Sequence, residues 1–399
     1  MTEFIPAATV ANSRLSKLVE YFSFRRLPGQ VRELDGLRGL AVILVLLRHA
    51  VRPFWPIETL ETNASAWDLG TFMINGWIGV DLFFVLSGYL ISYHILNLKE
   101  RHGGNWMWTP YLKKRAMRII PAYYAVLFLT ALGVFPYYES SSAFLGLRLS
   151  YHMLFLQDYL PSNFVVAFWS LGVEEKFYLI APLLIFARAN AKTCAGRVHG
   201  IVILLLLGVA LRVFTAVTDP SVETYDTFFR TFRSPFHMTM DPILIGVIIA
   251  FVHKSKAELP RLTSRLTANI AFWLGASVVV WLLTSADMMG TISWWDKTLQ
   301  PTLIALAFGG MTFGLLFGGG PAMLFRSALL FFCARISYSL YLIHLPLIPV
   351  SLLLAEEIAP VQNQFLAFCS IFSTLSLVSA LTLHFTVEKP FLLMKDKVH

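Results

Sequence analysis

Long apolar runs recur along the whole chain and constrain its fold more than any other feature. They fall near residues 37–52, 72–98, 119–135, 168–187, 200–217, 235–252, 268–285, 301–318, 328–354 and 364–387. Apolar runs of about 17 residues or more mark transmembrane helices rather than the helices of a soluble core. Composition agrees, since 56% of the 399 residues are hydrophobic and 14% are charged, against about 25% charged in ordinary soluble chains. The expected fold class is an all-α polytopic membrane protein with about ten transmembrane helices.

Charge in the connecting loops sets the expected orientation. Basic residues gather at 99–118 (Lys99, Arg101, Lys113, Lys114, Arg115, Arg118), 188–198 (Arg188, Lys192, Arg197) and 253–266 (Lys254, Lys256, Arg261, Arg265). The alternate loops at 53–70 (Glu58, Glu61, Asp68), 286–300 and 355–361 (Glu356, Glu357) are acidic or nearly neutral. Ten spans with both termini cytoplasmic satisfy this alternation, so the net charge of +8 reports orientation and not a nucleic-acid partner. The segment LGLRLSYHMLFLQDYL (145–160) is apolar enough for an eleventh span. Crossing there would push the 188–198 cluster outside, so it reads as a re-entrant or outer-face segment buried against protein.

Cys194, Cys333 and Cys369 have neither metal spacing nor a paired framework, so no metal site is expected. No cleavable signal is read in residues 1–33, and the first span is expected to act as its own uncleaved signal. Within that cytoplasmic tail Leu15, Leu18, Val19 and Phe22 recur at helical spacing beside Arg14, Lys17, Arg25 and Arg26, a pattern suited either to an anionic leaflet or to solvent. One membrane domain then covers residues 34–391, followed by a short cytoplasmic tail at 392–399.

Ionisable groups inside apolar runs are costly and point to function or to a buried partner. RELDGLRGLAVILVLLRHA carries Arg38 at one end and His49 near the other. Eleven residues at 100° each bring the two within about 20° of one helix face, separated by a rise of about 16 Å. Asp35 lies one turn before Arg38, where it can pair with the arginine or cap the helix. Arg48 and Arg52 read as interfacial.

In GWIGVDLFFVLSGYLIS, Gly76, Gly79 and Gly88 permit close helix approach, and Asp81 and Ser87 are the polar exceptions. Arg115 and Arg118 in YLKKRAMRIIPAYY share a helix face. They suit phosphate binding as well as ordinary membrane anchoring. Glu174 and Glu175 sit within FWSLGVEEKFYLIAP, Asp241 beside Pro242 in FHMTMDPILIG, and His344 in RISYSLYLIHLPLI. For His344 a structural and a functional role are equally open. Basic residues on the inner face, with a histidine and carboxylate nearer the outer face, suit transfer from a phosphorylated donor by an imidazole base or nucleophile. The same groups suit the relay of a proton-coupled transporter or flippase. Residue types alone do not separate the two, although no inverted repeat of the transporter kind is visible.

The chain resembles the integral-membrane acyltransferase 3 family of bacterial O-acyltransferases. The resemblance is carried by ELDGLRGLAVILVLLRHA, GVDLFFVLSGYLIS, YLKKRAMRIIP, FWSLGVEEKFYLIAP, RISYSLYLIHLPL and VEKPF, in the family's order over residues 32 to 391. It implies that His49 is the essential catalytic residue and that Arg38, Arg115 and Arg118 serve an acyl-CoA donor. The family's WSL-x-x-E glutamate falls on Glu174, which is implied to orient or charge-balance the imidazole or to bind the acceptor. Asp35, Ser87, Asp241 and His344 are expected in supporting positions.

The implied activity moves an acyl group, most often acetyl, from cytoplasmic acyl-CoA to a hydroxyl of a membrane-linked or extracytoplasmic glycan. Acyl-CoA is then a co-substrate, with no bound cofactor, and the implied location is the bacterial inner membrane, in contact with lipid. Lys176 stands where glutamine is common in the family. The sequence ends at His399 without the hydrolase-like domain of some relatives, so a second transfer step is expected to need another protein.

Overall fold

The structure is a computed structural model describing residues 31–54, 69–102, 108–138, 144–160, 164–285 and 292–395. The tail stripe of Leu15, Leu18, Val19 and Phe22, the acidic positions Glu58, Glu61 and Asp68, and residues 396–399 lie outside the described residues. Among the described residues every regular element is helical.

The principal helices are α1 (Arg32–Val51), α2 (Gly79–His102), α3 (Trp108–Ala131), α4 (Leu145–Met153), α5 (Trp169–Ala189) and α6 (Cys194–Thr218). They continue as α7 (Asp241–Lys254), α8 (Arg265–Thr284), α9 (Gln300–Leu316), α10 (Ala328–Ile343), α11 (Ile348–Ile358) and α12 (Gln364–Leu383). The apolar runs of the sequence thus become largely helical, with 328–354 divided into the pair α10 and α11 and short 3-10 turns at Asn75–Ile78 and Phe236–Met238 leading into α2 and α7.

Among the described residues, four helical stretches are long and apolar enough to cross a membrane: Leu69–Arg101, Cys194–Thr218, Arg265–Thr284 and Val361–Met394. The bent pair α10–α11 makes a fifth. The other helices differ for physical reasons. α1, α3 and α5 carry charged side chains toward the interior, and α7 and α9 have only 14 and 17 residues. In the apolar window containing α2, 78% of the residues are buried inside the protein, against 17% in α6. α2 is therefore the hub of the bundle, while α6 turns Leu206, Leu207, Phe214 and Val217 outward, as a lipid-facing helix does.

Close backbone approach fixes the hub. A Cβ on Gly88 of α2 would run into the Ile243 carbonyl of α7, and one on Gly246 of α7 would run into that of Val85. This reciprocal glycine contact locks the two helices together without a side chain between them.

Within the segment 145–160 the regular helix is shorter than a membrane span: α4 has nine residues and is about 13 Å long. Tyr123 and Lys176 dock the segment on the bundle: Tyr123 Oη donates to the His152 carbonyl at 3.0 Å, and Lys176 Nζ meets Asp158 Oδ1 at 2.5 Å and the Phe155 carbonyl at 2.6 Å.

α10 and α11 meet at a 63° bend. Pro346 and Pro349 sit in the first turns after the break, where each lacks an N–H and clashes with the preceding turn. His344 occupies the corner, fully buried at 0% exposure.

Candidate active site

α1 presents the two ends of its polar stripe to two different cavities. The larger, about 330 Å³, is lined by His49 together with Arg48, Trp77, Trp169, Tyr225 and Arg233 among others. The smaller, about 110 Å³, is lined by Arg38, Arg115, Arg118, Ser87, Glu174 and Tyr178. Val80 and Tyr341 line both, so the cavities adjoin there.

Backbone carbonyls fix the protonation of the histidines. His344 Nδ1 lies 2.8 Å from the Tyr341 carbonyl and 3.2 Å from that of Leu340. A carbonyl only accepts, so Nδ1 carries the hydrogen and Nε2 of the neutral ring is an acceptor. That Nε2 lies 3.3 Å from His49 Nδ1, which is also 2.8 Å from the Val45 carbonyl. By the same reasoning His49 Nδ1 carries a hydrogen, shared between Val45 and His344. His49 Nε2 is left with its lone pair, a base ready to accept a proton. The rings meet edge-on with centroids 4.8 Å apart, so packing as well as hydrogen bonding sets the angle of His49.

Glu174 is held elsewhere. Ser87 Oγ donates to its Oε1 at 2.8 Å and Tyr178 Oη to its Oε2 at 2.9 Å. Among the described residues no hydrogen bond joins Glu174 to His49. The structure groups the glutamate with the arginines, and His344 occupies the place against the imidazole that the sequence reading had considered for Glu174. Arg38 also meets Asp35 Oδ1 at 3.5 Å. Arg115 stands 5.9 Å over the Tyr111 ring, and its Nε has no hydrogen-bond partner.

Asp241 lines neither cavity. It is fully buried, with Arg212 Nη1 at 2.9 Å from Oδ1, Arg212 Nη2 at 2.6 Å from Oδ2, and Thr302 Oγ1 at 2.5 Å. Arg212 also donates to the Thr298 and Met238 carbonyls at 2.9 and 2.8 Å. This clamp joins α6, α7 and α9, so Asp241, expected in a supporting position, is engaged in a buried ion pair away from both cavities. The sequence signal was the presence of Arg212 within LLLLGVALRVFTAV, an arginine amid apolar residues that requires a buried partner.

Two further features escaped sequence reading. Arg48, expected at an interface, is 2% exposed. Arg233 forms a two-pronged ion pair with Asp81 at 2.8 and 2.7 Å. Its guanidinium also lies 4.7 Å from the Trp77 ring and 5.1 Å from the Trp169 ring.

A family model described as an acyltransferase domain, acyltransferase 3, matches residues 31–384. The chain belongs to this family. It is 30% identical over 366 residues to the peptidoglycan O-acetyltransferase OatA of Listeria monocytogenes, covering 83% of this chain and 51% of that protein. It is 26% identical over 356 residues to the O-acetyltransferase OatA of Staphylococcus aureus, covering 83% and 52%. The putative peptidoglycan O-acetyltransferase YrhL of Bacillus subtilis is 30% identical over 263 residues, covering 61% and 36%. The chain thus spans about half the length of the OatA relatives. No solved structure matches it. Family membership together with the outward-facing apolar helices makes it an integral membrane protein.

Proposed function

We propose that the protein is an O-acyltransferase moving an acyl group, acetyl in the first instance, from acyl-CoA to a hydroxyl of a glycan. The adjoining of the two cavities at Val80 and Tyr341 carries this reading, with three arginines on one side and the His49 ring on the other. The names of the relatives support acetyl as the group and a cell-wall glycan as the acceptor.

In this reading all ten apolar runs cross the bacterial inner membrane, and both termini lie in the cytoplasm. The smaller cavity opens toward the cytoplasmic side. There Arg38, Arg115 and Arg118 take the phosphates of the donor, because guanidinium forks match phosphate geometry. Glu174, held by Ser87 and Tyr178, balances the three cations and keeps them from repelling one another apart. The pantetheine arm then reaches along α1, whose Arg38-to-His49 rise is about 16 Å.

At the junction His49 Nε2 takes the proton of the acceptor hydroxyl as its oxygen attacks the thioester carbonyl. The C–S bond breaks, and the sulfur leaves with the proton from the imidazolium. His344 Nε2 and the Val45 carbonyl stabilise the second N–H of that imidazolium during the step. The general-base route needs no separate acyl-enzyme intermediate.

The test reconstitutes the protein in liposomes with acetyl-labelled CoA and peptidoglycan fragments. Labelled glycan is expected with wild type and not with His49→Ala. Arg38→Ala is expected to require much more donor for the same rate. Label appearing on the glycan from His49→Ala at the wild-type rate, or donor loss unaffected by any of the three arginines, would overturn the proposal.

A further inference from the structure

The larger cavity contains more unsatisfied polar chemistry than a thioester needs. Four side chains that line it each carry a buried polar atom with no hydrogen-bond partner: Arg48 Nη1, Trp77 Nε1, Gln157 Oε1 and Asp158 Oδ2. Two are donors and two are acceptors. A buried polar atom left unpaired is destabilising, so four around one cavity call for a polar occupant able to give and take hydrogen bonds. The remaining wall is aromatic, with Trp169, Tyr159, Tyr225, Phe228 and Phe229. Polar edges beside aromatic faces suit a saccharide, and a cavity of about 330 Å³ lies within the small-molecule range of roughly 300–1,000 Å³.

Charge narrows the class further. Arg233 is paired with Asp81 and Arg230 with Asp226 at 2.9 Å. Asp158 has Lys176 at 2.5 Å. Asp296 is satisfied by Ser293 and Gln300. Arg48 has no carboxylate partner among the described residues, yet it is buried and adjoins the catalytic histidine in sequence. A buried cation without a counter-charge is strongly destabilising unless something supplies one, and a guanidinium fork selects a carboxylate or phosphate.

The geometry points to an acceptor site for an anionic saccharide, in which Arg48 binds a carboxylate or phosphate on the glycan while His49 receives the proton of a nearby hydroxyl. The inference rests on the acyltransferase reading and names the substrate class of that same site. Arg48 acts as a binding and specificity residue, and Trp77, Gln157 and Asp158 take the sugar's hydroxyls.

Three disaccharides of one backbone test it on purified protein in detergent: one carrying a uronic acid, its carboxyl-reduced counterpart, and one carrying a 6-phosphate. Binding is measured by calorimetry on wild type, Arg48→Gln and Arg48→Lys. Wild type is expected to bind at least one charged sugar about tenfold or more tighter than the neutral one, and the better of the two identifies the anion. Arg48→Gln is expected to bring charged and neutral sugars within about twofold, and Arg48→Lys to retain an intermediate preference.

Equal binding of all three sugars by wild type overturns the inference even if Arg48→Gln does not fold. So does a charge preference that survives unchanged in folded Arg48→Gln. The same protein is assayed for acetyl transfer to peptidoglycan fragments. Transfer without any charge preference defeats only the anion assignment, whereas absence of both transfer and donor consumption defeats the underlying reading.

Discussion

His344 Nε2 lies 3.3 Å from His49 Nδ1, although the two residues are 295 positions apart in the chain. The proline-broken corner between α10 and α11 aims one ring at the other. The His344 acceptor nitrogen is fixed by carbonyls of its own helix, so it meets the N–H of His49 without having to reorganise. In the proposed reaction the pair has the logic of an orienting acceptor behind an imidazole base, with a neutral ring in place of a carboxylate.

Removing the acceptor should slow the chemical step more than donor binding. His344→Leu is expected to lower kcat about ten- to hundredfold, the worth of a hydrogen bond to a charged group at about 1.5–3 kcal/mol. The KM for acetyl-CoA should change little. His344→Gln, which keeps an acceptor, should recover part of the loss. Equal kcat in all three proteins at matched folding would remove His344 from the mechanism.

The arginine cavity should show the opposite split. Arg115→Ala and Arg118→Ala are each expected to raise the KM for acetyl-CoA about tenfold or more, with the loss of a charge-assisted contact to phosphate. Glu174→Gln leaves three cations without their carboxylate and should impair donor binding as well. A rise in acceptor KM alone, measured by varying each substrate at saturation of the other, would move these residues to the other side of the reaction.

The Arg212–Asp241 clamp should appear in stability. Breaking a buried pair from one side costs about 3–5 kcal/mol, whereas replacing both partners by apolar residues is often neutral. Arg212→Met and Asp241→Leu should therefore each lower the unfolding midpoint sharply in detergent, while the double variant recovers much of it. Single variants with wild-type midpoints and lost acetyl transfer would assign the pair to function instead.

The glycine contact between α2 and α7 predicts an asymmetry among alanine substitutions. Gly88→Ala places a methyl group against the Ile243 carbonyl and is expected to cost about 1–3 kcal/mol through overpacking. Gly146→Ala on α4 meets nothing within 4 Å and should be neutral or stabilising by up to about 1 kcal/mol. Thermal unfolding of the two variants side by side decides the matter, and equal shifts would mean that the hub packs less tightly than described.

The period and length of the apolar runs determined the helices. The ten runs are largely helical, the conformation that satisfies backbone hydrogen bonds within a single apolar segment. Helical geometry also put Arg38 and His49 on one face, since both are read along a single element. The partners of those residues were a different matter. His344 against His49, Arg212 on Asp241, Arg233 on Asp81 and the burial of Arg48 each join or enclose groups from separate helices.

No local period encodes such contacts. They depend on which helix faces pack together and on where glycines and prolines let backbones approach or bend. Sequence alone identified which side chains were too polar for their surroundings. Tertiary structure decided what each one meets, because the cost of a buried charge is relieved only by a partner brought from elsewhere in the chain.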